Sequence, residues 1–388
     1  MKANAGGNIA PDDIIGRDAL ISELWSILTN QSLVLSSERR TGKTCILKKM
    51  ASNAKDGFLP IYRDLELVHS TAEFVEIVVQ DLDQHLPLID RTVVKGRQLK
   101  KAFQGFQLGS VKVPETNTTA IKTILVNVIN KAAVHSKRTL VLLWDELPMM
   151  LDNIRQNVNE QAAMELLDTL RAVRQQCPQV RMVFTGSIGI HHVLSVLKDS
   201  GYTNDSTNDM LNQEVPALEE QYSRQLALGL LAGEHINTTD NEVVSSEIAK
   251  ASCFIPYFTH HIVTEMRRRG TGISSGTASE IVHGCIRQAD DPWHLNHYHD
   301  RLKTYYSKLE QPIAESILDV LAAANEPLTT NEVYKLVQSK MNVSDKIVFL
   351  KVMRLLELDH YITKAAAGTI CFKVELIKEW WQTLRGDL

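Results

Sequence analysis

Cysteine is scarce in this chain and poorly spaced for any bonded use. Cys45, Cys177, Cys253, Cys285 and Cys371 are odd in number, and no two of them form a C-x-x-C pair. Neither a disulfide framework nor a cysteine zinc site follows, and a reducing, cytoplasmic setting fits. Excess positive charge is also missing: 42 Lys and Arg stand against 46 Asp and Glu, a net charge of −4. Nothing in that balance advertises nucleic acid. No apolar run is long enough to span a membrane. The opening residues, Met1 to Asn8, lack the apolar core of a signal peptide. No internal repeat or low-complexity tract interrupts a composition that is 44% hydrophobic and 23% charged, ordinary for a globular protein. The 388 residues suffice for roughly two or three domains and a large core.

Against these absences one stretch is distinctive. Ser37-Glu38-Arg39-Arg40-Thr41-Gly42-Lys43-Thr44 follows the apolar run Leu33-Val34-Leu35 and precedes a helix-like run from Cys45 to Ala54. A strand, a tight loop ending in Gly-Lys-Thr and a helix read as a phosphate-binding loop. The loop's N–H groups and the helix N-terminus point at an anion. Lys43 brings a positive charge to the β- and γ-phosphates, and Thr44 offers a hydroxyl to Mg²⁺. Ser37 replaces the first glycine of the usual pattern.

A partner element lies about 100 residues downstream. Leu140-Val141-Leu142-Leu143-Trp144-Asp145-Glu146 reads as a buried parallel strand with two acids at its C-terminal end, where open α/β sheets hold ligands. Asp145 would hold the Mg²⁺ shell. Glu146 would orient or deprotonate the attacking water.

Along the chain, residues 1–12 read as a flexible lead. Asp18 opens a helix to Leu28. Strands are expected at Leu33–Ser36, Phe58–Asp64 and Val180–Ser187, with helices at Ser70–Leu86, Ala120–Ser136 and Asn159–Gln175. Residues 104–119 read as a surface hairpin. Alternation of this kind implies a three-layer α/β/α domain with a parallel sheet over 13–213. An all-α lid is expected over 214–290, with helices at Leu218–Leu231, Glu242–Ala251, Ile255–Arg269 and Thr277–Gln288. Residues 291–388 read as a winged-helix domain: helices at Pro312–Ala324, Thr330–Met341 and Ser344–Leu358, a hairpin turning at Gly368, and a closing helix anchored by Trp380 and Trp381.

These motifs resemble those of the AAA+/STAND group of P-loop ATPases, in particular the prokaryotic archaeal-type ATPases. The likeness is carried by Ile15-Gly16-Arg17-Asp18, by Glu38-Arg39-Arg40-Thr41-Gly42-Lys43-Thr44, by Trp144-Asp145-Glu146, by Phe184-Thr185-Gly186-Ser187 and by Ile255-Pro256-Tyr257-Phe258. It implies that the backbone of Ile15, Gly16 and Arg17 borders an adenine and that Pro256 packs against the base. The loop from Ser37 through Cys45 would cradle the phosphates. Ser187, with Thr185 as the alternative, would stand near the γ-phosphate or the attacking water as a third catalytic position beside Glu146. The implied ligands are ATP or ADP with Mg²⁺, and the implied activity is slow ATP hydrolysis. One arginine is missing that ring-forming relatives use on a neighbour's nucleotide: between Ser187 and Ser223 the chain has none, and Lys198 is the only permanently charged basic residue.

Other polar groups admit two readings. Arg39 and Arg40 either contact phosphate or a lid acid, or face solvent. His260-His261, just after the lid proline, reads either as approaching the nucleotide or as a surface pair, the latter preferred. Arg267-Arg268-Arg269 reads either as a second phosphate sensor or as a solvated helix end favoured by the helix dipole, the latter preferred. His294, His297 and His299 with Asp290, Asp291 and Asp300 fit no standard metal spacing and read as a polar interdomain linker. In the helix Ser344–Leu358, nine of fifteen residues are apolar, and Lys346, Lys351 and Arg354 are its only basic ones. From Arg301 to Leu388, 12 Lys and Arg face 11 Asp and Glu, a net of +1. DNA affinity rests largely on phosphate neutralisation, so DNA is open but not favoured. The expected role is a nucleotide-driven switch acting on an unidentified partner protein or assembly, of signalling or prokaryotic-defence type; a homo-oligomer is compatible. The alternatives are a DNA-associated transposition- or replication-type loader and a nucleotide-binding scaffold with negligible turnover.

Overall fold

Apolar runs followed by amphipathic helices give the first part of the chain its sheet. The computed structural model describes residues 1–85, 118–341, 345–365 and 368–386. The segment expected as a surface hairpin lies outside the described residues as far as 117, as does Ser344. The chain divides into two compact units, one of residues 18–36 and 43–214, the other of 1–17, 37–42 and 215–388.

The first unit is built on five parallel strands: β1 (Ser32–Ser36), β2 (Phe58–Asp64), β3 (Thr139–Asp145), β4 (Val180–Phe184) and β5 (Met210–Glu214), in the order β2-β3-β4-β1-β5. Helices Asp18–Ile27, Lys43–Ser52, Thr71–His85, Thr118–Ser136, Leu147–Asn157, Glu160–Gln176 and Ile190–Asp199 accompany it. Parallel strands covered on both faces read as continuous apolar runs, and Leu140 to Trp144 are all buried. Trp144 fixes the centre of the core, edge-on to Phe74 at 5.1 Å and stacked with Phe184 at 6.1 Å. Asn159 caps its helix by accepting from the Ala162 N–H at 2.8 Å. Register places Asp64 beside Asp145 at the C-terminal end of adjacent strands.

Strand β5 was not expected. Its sequence, Met-Leu-Asn-Gln-Glu, buries only Met210. It qualifies as an edge strand because β1 pairs along all of it. The chain entering it is held by Arg174, whose buried guanidinium meets the Asp209 carboxylate at 2.8 Å.

In the second unit, helices Glu220–Gly233, Asn241–Ala251, Pro256–Arg269 and Thr277–Ile286 are followed by Asn296–Tyr305, Glu310–Ala323, Thr330–Lys340 and Lys346–Leu358. Strands β6 (Leu328–Thr329), β7 (Ile362–Lys364) and β8 (Thr369–Phe372) form a small antiparallel sheet ordered β6-β8-β7, before a last helix, Glu375–Leu384. Gly368 turns the β7–β8 hairpin at φ +76°. Thr329 and Glu332 cap their helix reciprocally, and Asp345 caps the next. Trp381 is fully buried, with its Nε1 donating to Asp319 at 2.9 Å.

The polar linker expected around residue 290 is corrected. One hydrophobic cluster runs from Leu218 to Trp381, through Trp293, Leu295 and Tyr298, each only 1% exposed. The charge that made this segment look solvated serves local ends: Asp291 accepts from the N–H groups of Leu295 (2.6 Å) and Asn296 (2.8 Å), starting helix Asn296–Tyr305. The histidines do not converge there. His297 turns to the His294 carbonyl, and His299 lies 3.4 Å from Glu315.

Candidate active site

In the α/β unit the site grows from the ends of β3 and β4 and the start of helix Lys43–Ser52. Burial of β3 carries Asp145 inside, 2% exposed. Its Oδ2 accepts from the Thr44 hydroxyl at 2.6 Å, and the Tyr62 hydroxyl lies 3.4 Å away. Burial raises the Asp145 pKa; the Thr44 hydrogen bond and the Lys43 charge oppose it. A buried carboxylate and a hydroxyl meeting at one point, with Lys43 acting on both acids, form a hard, all-oxygen donor pair of the sort Mg²⁺ takes while keeping several waters. The residues therefore fit the ion.

Glu146 follows in the left-handed conformation, φ 55°, as the chain breaks from strand to helix Leu147–Asn157. Its carboxylate is gripped by Ser187: the N–H donates to both oxygens at 2.9 Å, and the hydroxyl to Oε2 at 2.8 Å. Burial raises its pKa above the ordinary 4.5, against the lowering effect of those Ser187 bonds. Thr185 is buried, and its hydroxyl has no hydrogen-bond partner among the described residues. Ser187 thus meets Glu146 directly, and Thr185 does not share that contact.

Residues 37–42 pack within the other unit. Ser37 Oγ lies 2.6 Å from Thr41 Oγ1 and donates to the Glu38 carbonyl at 2.8 Å, so a side-chain hydroxyl braces the turn where the usual pattern has glycine. Gly42 at φ 99° and Arg40 at φ 71° supply the left-handed steps. The Arg17 side chain is a strut, donating to the carbonyls of Thr41 (2.8 Å) and Pro216 (2.9 Å). Beside it Gly16, at φ +70°, has no room for a side chain, since a Cβ would stand 2.5 Å from Tyr222. Ile15 packs against the same core.

Arg40 is half-buried. Its guanidinium lies 3.9 Å over the Tyr257 ring and donates to the Trp293 carbonyl. Pro256 opens helix Pro256–Arg269. Cys253 and Phe254 before it take φ 49° and 60°, adopting positive φ without glycine. Their N–H groups bond to Lys250 and Ala249 at 2.9 and 3.0 Å. The surface reading of His260-His261 is corrected: burial drives both pKa values down to about 4, so both are neutral at pH 7. His260 Nδ1 accepts the Asn4 N–H at 3.1 Å. Arg267, Arg268 and Arg269 pair with Glu234, Glu265 and Glu280 on the surface.

Two contacts carried no motif signal: Tyr62 beside Asp145, and Tyr298, whose hydroxyl donates to Glu38 at 2.8 Å. The first was within reach of pattern reading, because β2 and β3 are adjacent parallel strands. The second joins residues 260 positions apart.

The sequence matches no family model and no curated protein. Among solved structures it is similar to a Walker-type ATPase of Pyrococcus abyssi, at 14% identity and TM-score 0.65, over 96% of this chain and 97% of that one. It is also similar to the ORC2 protein of Aeropyrum pernix in its ADPNP–ADP complexes, at 12% identity and TM-score 0.51, over 97% and 96%. At such identities the likeness is one of fold. The chain has the α/β fold of P-loop NTPases.

Proposed function

We propose that this chain binds ATP with Mg²⁺, hydrolyses it slowly, and uses the nucleotide state to set the arrangement of its helical lid and C-terminal domain for a partner protein or assembly. The observation that carries the reading is the Thr44–Asp145 contact at 2.6 Å immediately after Lys43, inside a P-loop fold. Lys43 neutralises the phosphates, and Thr44 and Asp145 hold the ion. The ion, when bound, screens phosphate charge and favours charge build-up on the leaving oxygens. Glu146 takes a proton from the water as its oxygen bonds to the γ-phosphorus and the bond to ADP breaks. Ser187 fixes the direction of the carboxylate through three hydrogen bonds. The test is turnover by the purified protein with ATP and Mg²⁺. Phosphate release that vanishes with chelator and in Lys43→Ala is expected; binding without any release would favour the scaffold.

The raised Glu146 pKa makes a second prediction. Glu146 acts as the base only when ionised, so turnover should fall as pH drops through an apparent pKa above 4.5. Ser187→Ala removes a bond that lowers that pKa, so its acid limb should move to higher pH. A limb shifted the other way in the pH–rate profile would take Ser187 out of this role.

We read residues 291–388 as a winged-helix domain whose exposed face suits protein more than DNA. On helix Lys346–Leu358, Ile347 is 78% exposed and Leu350 44%. Lys351 is paired with Glu310 at 2.8 Å. Duplex affinity should be weak at physiological salt, with a shallow slope. The triple change Lys346→Glu, Lys351→Glu, Arg354→Glu should alter turnover or partner association more than DNA binding. A steep salt dependence lost in that variant would put the DNA-associated loader first.

A further inference from the structure

Glu38 is an acid inside a loop read as an anion cradle. An ionised carboxylate within a few ångströms of a triphosphate repels it, and burial strengthens the repulsion. The fold handles this group specifically. Glu38 is 4% exposed, and its Oε1 accepts both the Arg39 N–H at 2.9 Å and the hydroxyl of Tyr298 at 2.8 Å. Tyr298 is itself 1% exposed, on helix Asn296–Tyr305, so its hydroxyl is aimed by packing and not by chance rotation. Its backbone carbonyl accepts the Tyr361 hydroxyl just before β7. Two positions on, Arg40 is also drawn back, stacked on Tyr257 and bonded to the Trp293 carbonyl.

We infer that Tyr298 is a positioning residue of the nucleotide site: it holds the Glu38 carboxylate turned away from the phosphates and makes the loop's affinity for them depend on the C-terminal helices. The inference rests on the nucleotide reading above. Its consequence is that a partner displacing helix Asn296–Tyr305 would release Glu38 and expel nucleotide without touching Lys43.

The test is a double-mutant cycle on ATP affinity, titrated calorimetrically with the full chain, Mg²⁺ and a non-hydrolysable ATP analogue. Tyr298→Phe removes the hydroxyl and leaves the ring. It should weaken binding about tenfold or more. In the Glu38→Gln background, where no charge remains to repel the phosphates, Tyr298→Phe should change affinity less than about threefold. Equal losses in both backgrounds would make Tyr298 a packing residue only, and no loss in either would also overturn the inference. A parent that binds no analogue, indistinguishable from Lys43→Ala, would instead remove the nucleotide reading itself and this inference with it. Should Tyr298→Phe not fold, Glu38→Asp takes its place, because it shortens the acid away from the hydroxyl and keeps its charge. The same loss is then expected, and unchanged affinity overturns the proposal.

Discussion

Glu146→Gln should hold ATP and hydrolyse almost none of it, with single-turnover rates down by about a hundredfold or more. The amide keeps the shape of the side chain and can still accept from the Ser187 N–H and hydroxyl, now at 2.9 and 2.8 Å. It cannot take a proton from water. Binding should persist because Thr44, Asp145 and Lys43 are untouched. A second signature separates this from damage to the fold. The folded pKa of Glu146 is raised, chiefly by burial. A carboxyl group of that kind contributes stability below its unfolded pKa and loses it as pH rises through the folded value. At pH 7 the ionised group is a cost, so Glu146→Gln should melt about 1–3 °C higher without nucleotide. Parent-like hydrolysis in this variant would move the base elsewhere.

Lys43→Ala should weaken ATP by at least about tenfold, roughly 1.4 kcal/mol. Burial raises the pKa of both Asp145 and Glu146, and the Lys43 ammonium is a charge that opposes that rise at each acid. Without it, a phosphate chain would meet one buried and one half-buried carboxylate with one cation fewer. Asp145→Ala should separate from it, losing the Mg²⁺-dependent part of binding while a metal-free component survives. Titrations with and without chelator read both. An unchanged isotherm for Lys43→Ala would remove the phosphate-loop assignment.

Strands whose apolar runs are continuous were legible from residues alone, because a strand buried on both faces has nothing to alternate. Phe58–Asp64 has those bounds in the fold, and Thr139–Asp145 starts one residue before the apolar run. Strand β5 was not, since an edge strand with one buried residue has neither a run nor a period. Helix Asn296–Tyr305 was read as linker because His297, His299 and Asp300 gave it a polar look, yet Tyr298 and Leu302 alone suffice to bury one face. The candidate acids and the phosphate loop stood out as motifs, because the chemistry requires those residue types at short spacing.

By itself the sequence determined the order of the strands β1 to β4 and of most helices, the loop ending in Gly42-Lys43-Thr44, and the acids Asp145 and Glu146 at a strand end. Each of these is written in neighbouring residues, where period, cap and motif act over a few positions. Only tertiary structure decided that Thr44 and Asp145 share a hydrogen bond, that Ser187 grips Glu146, that His260 is buried and His261 half-buried with both neutral, and that Glu38 answers to Tyr298. Those outcomes depend on desolvation and on contacts between residues tens to hundreds of positions apart, and neither quantity exists until the core has closed.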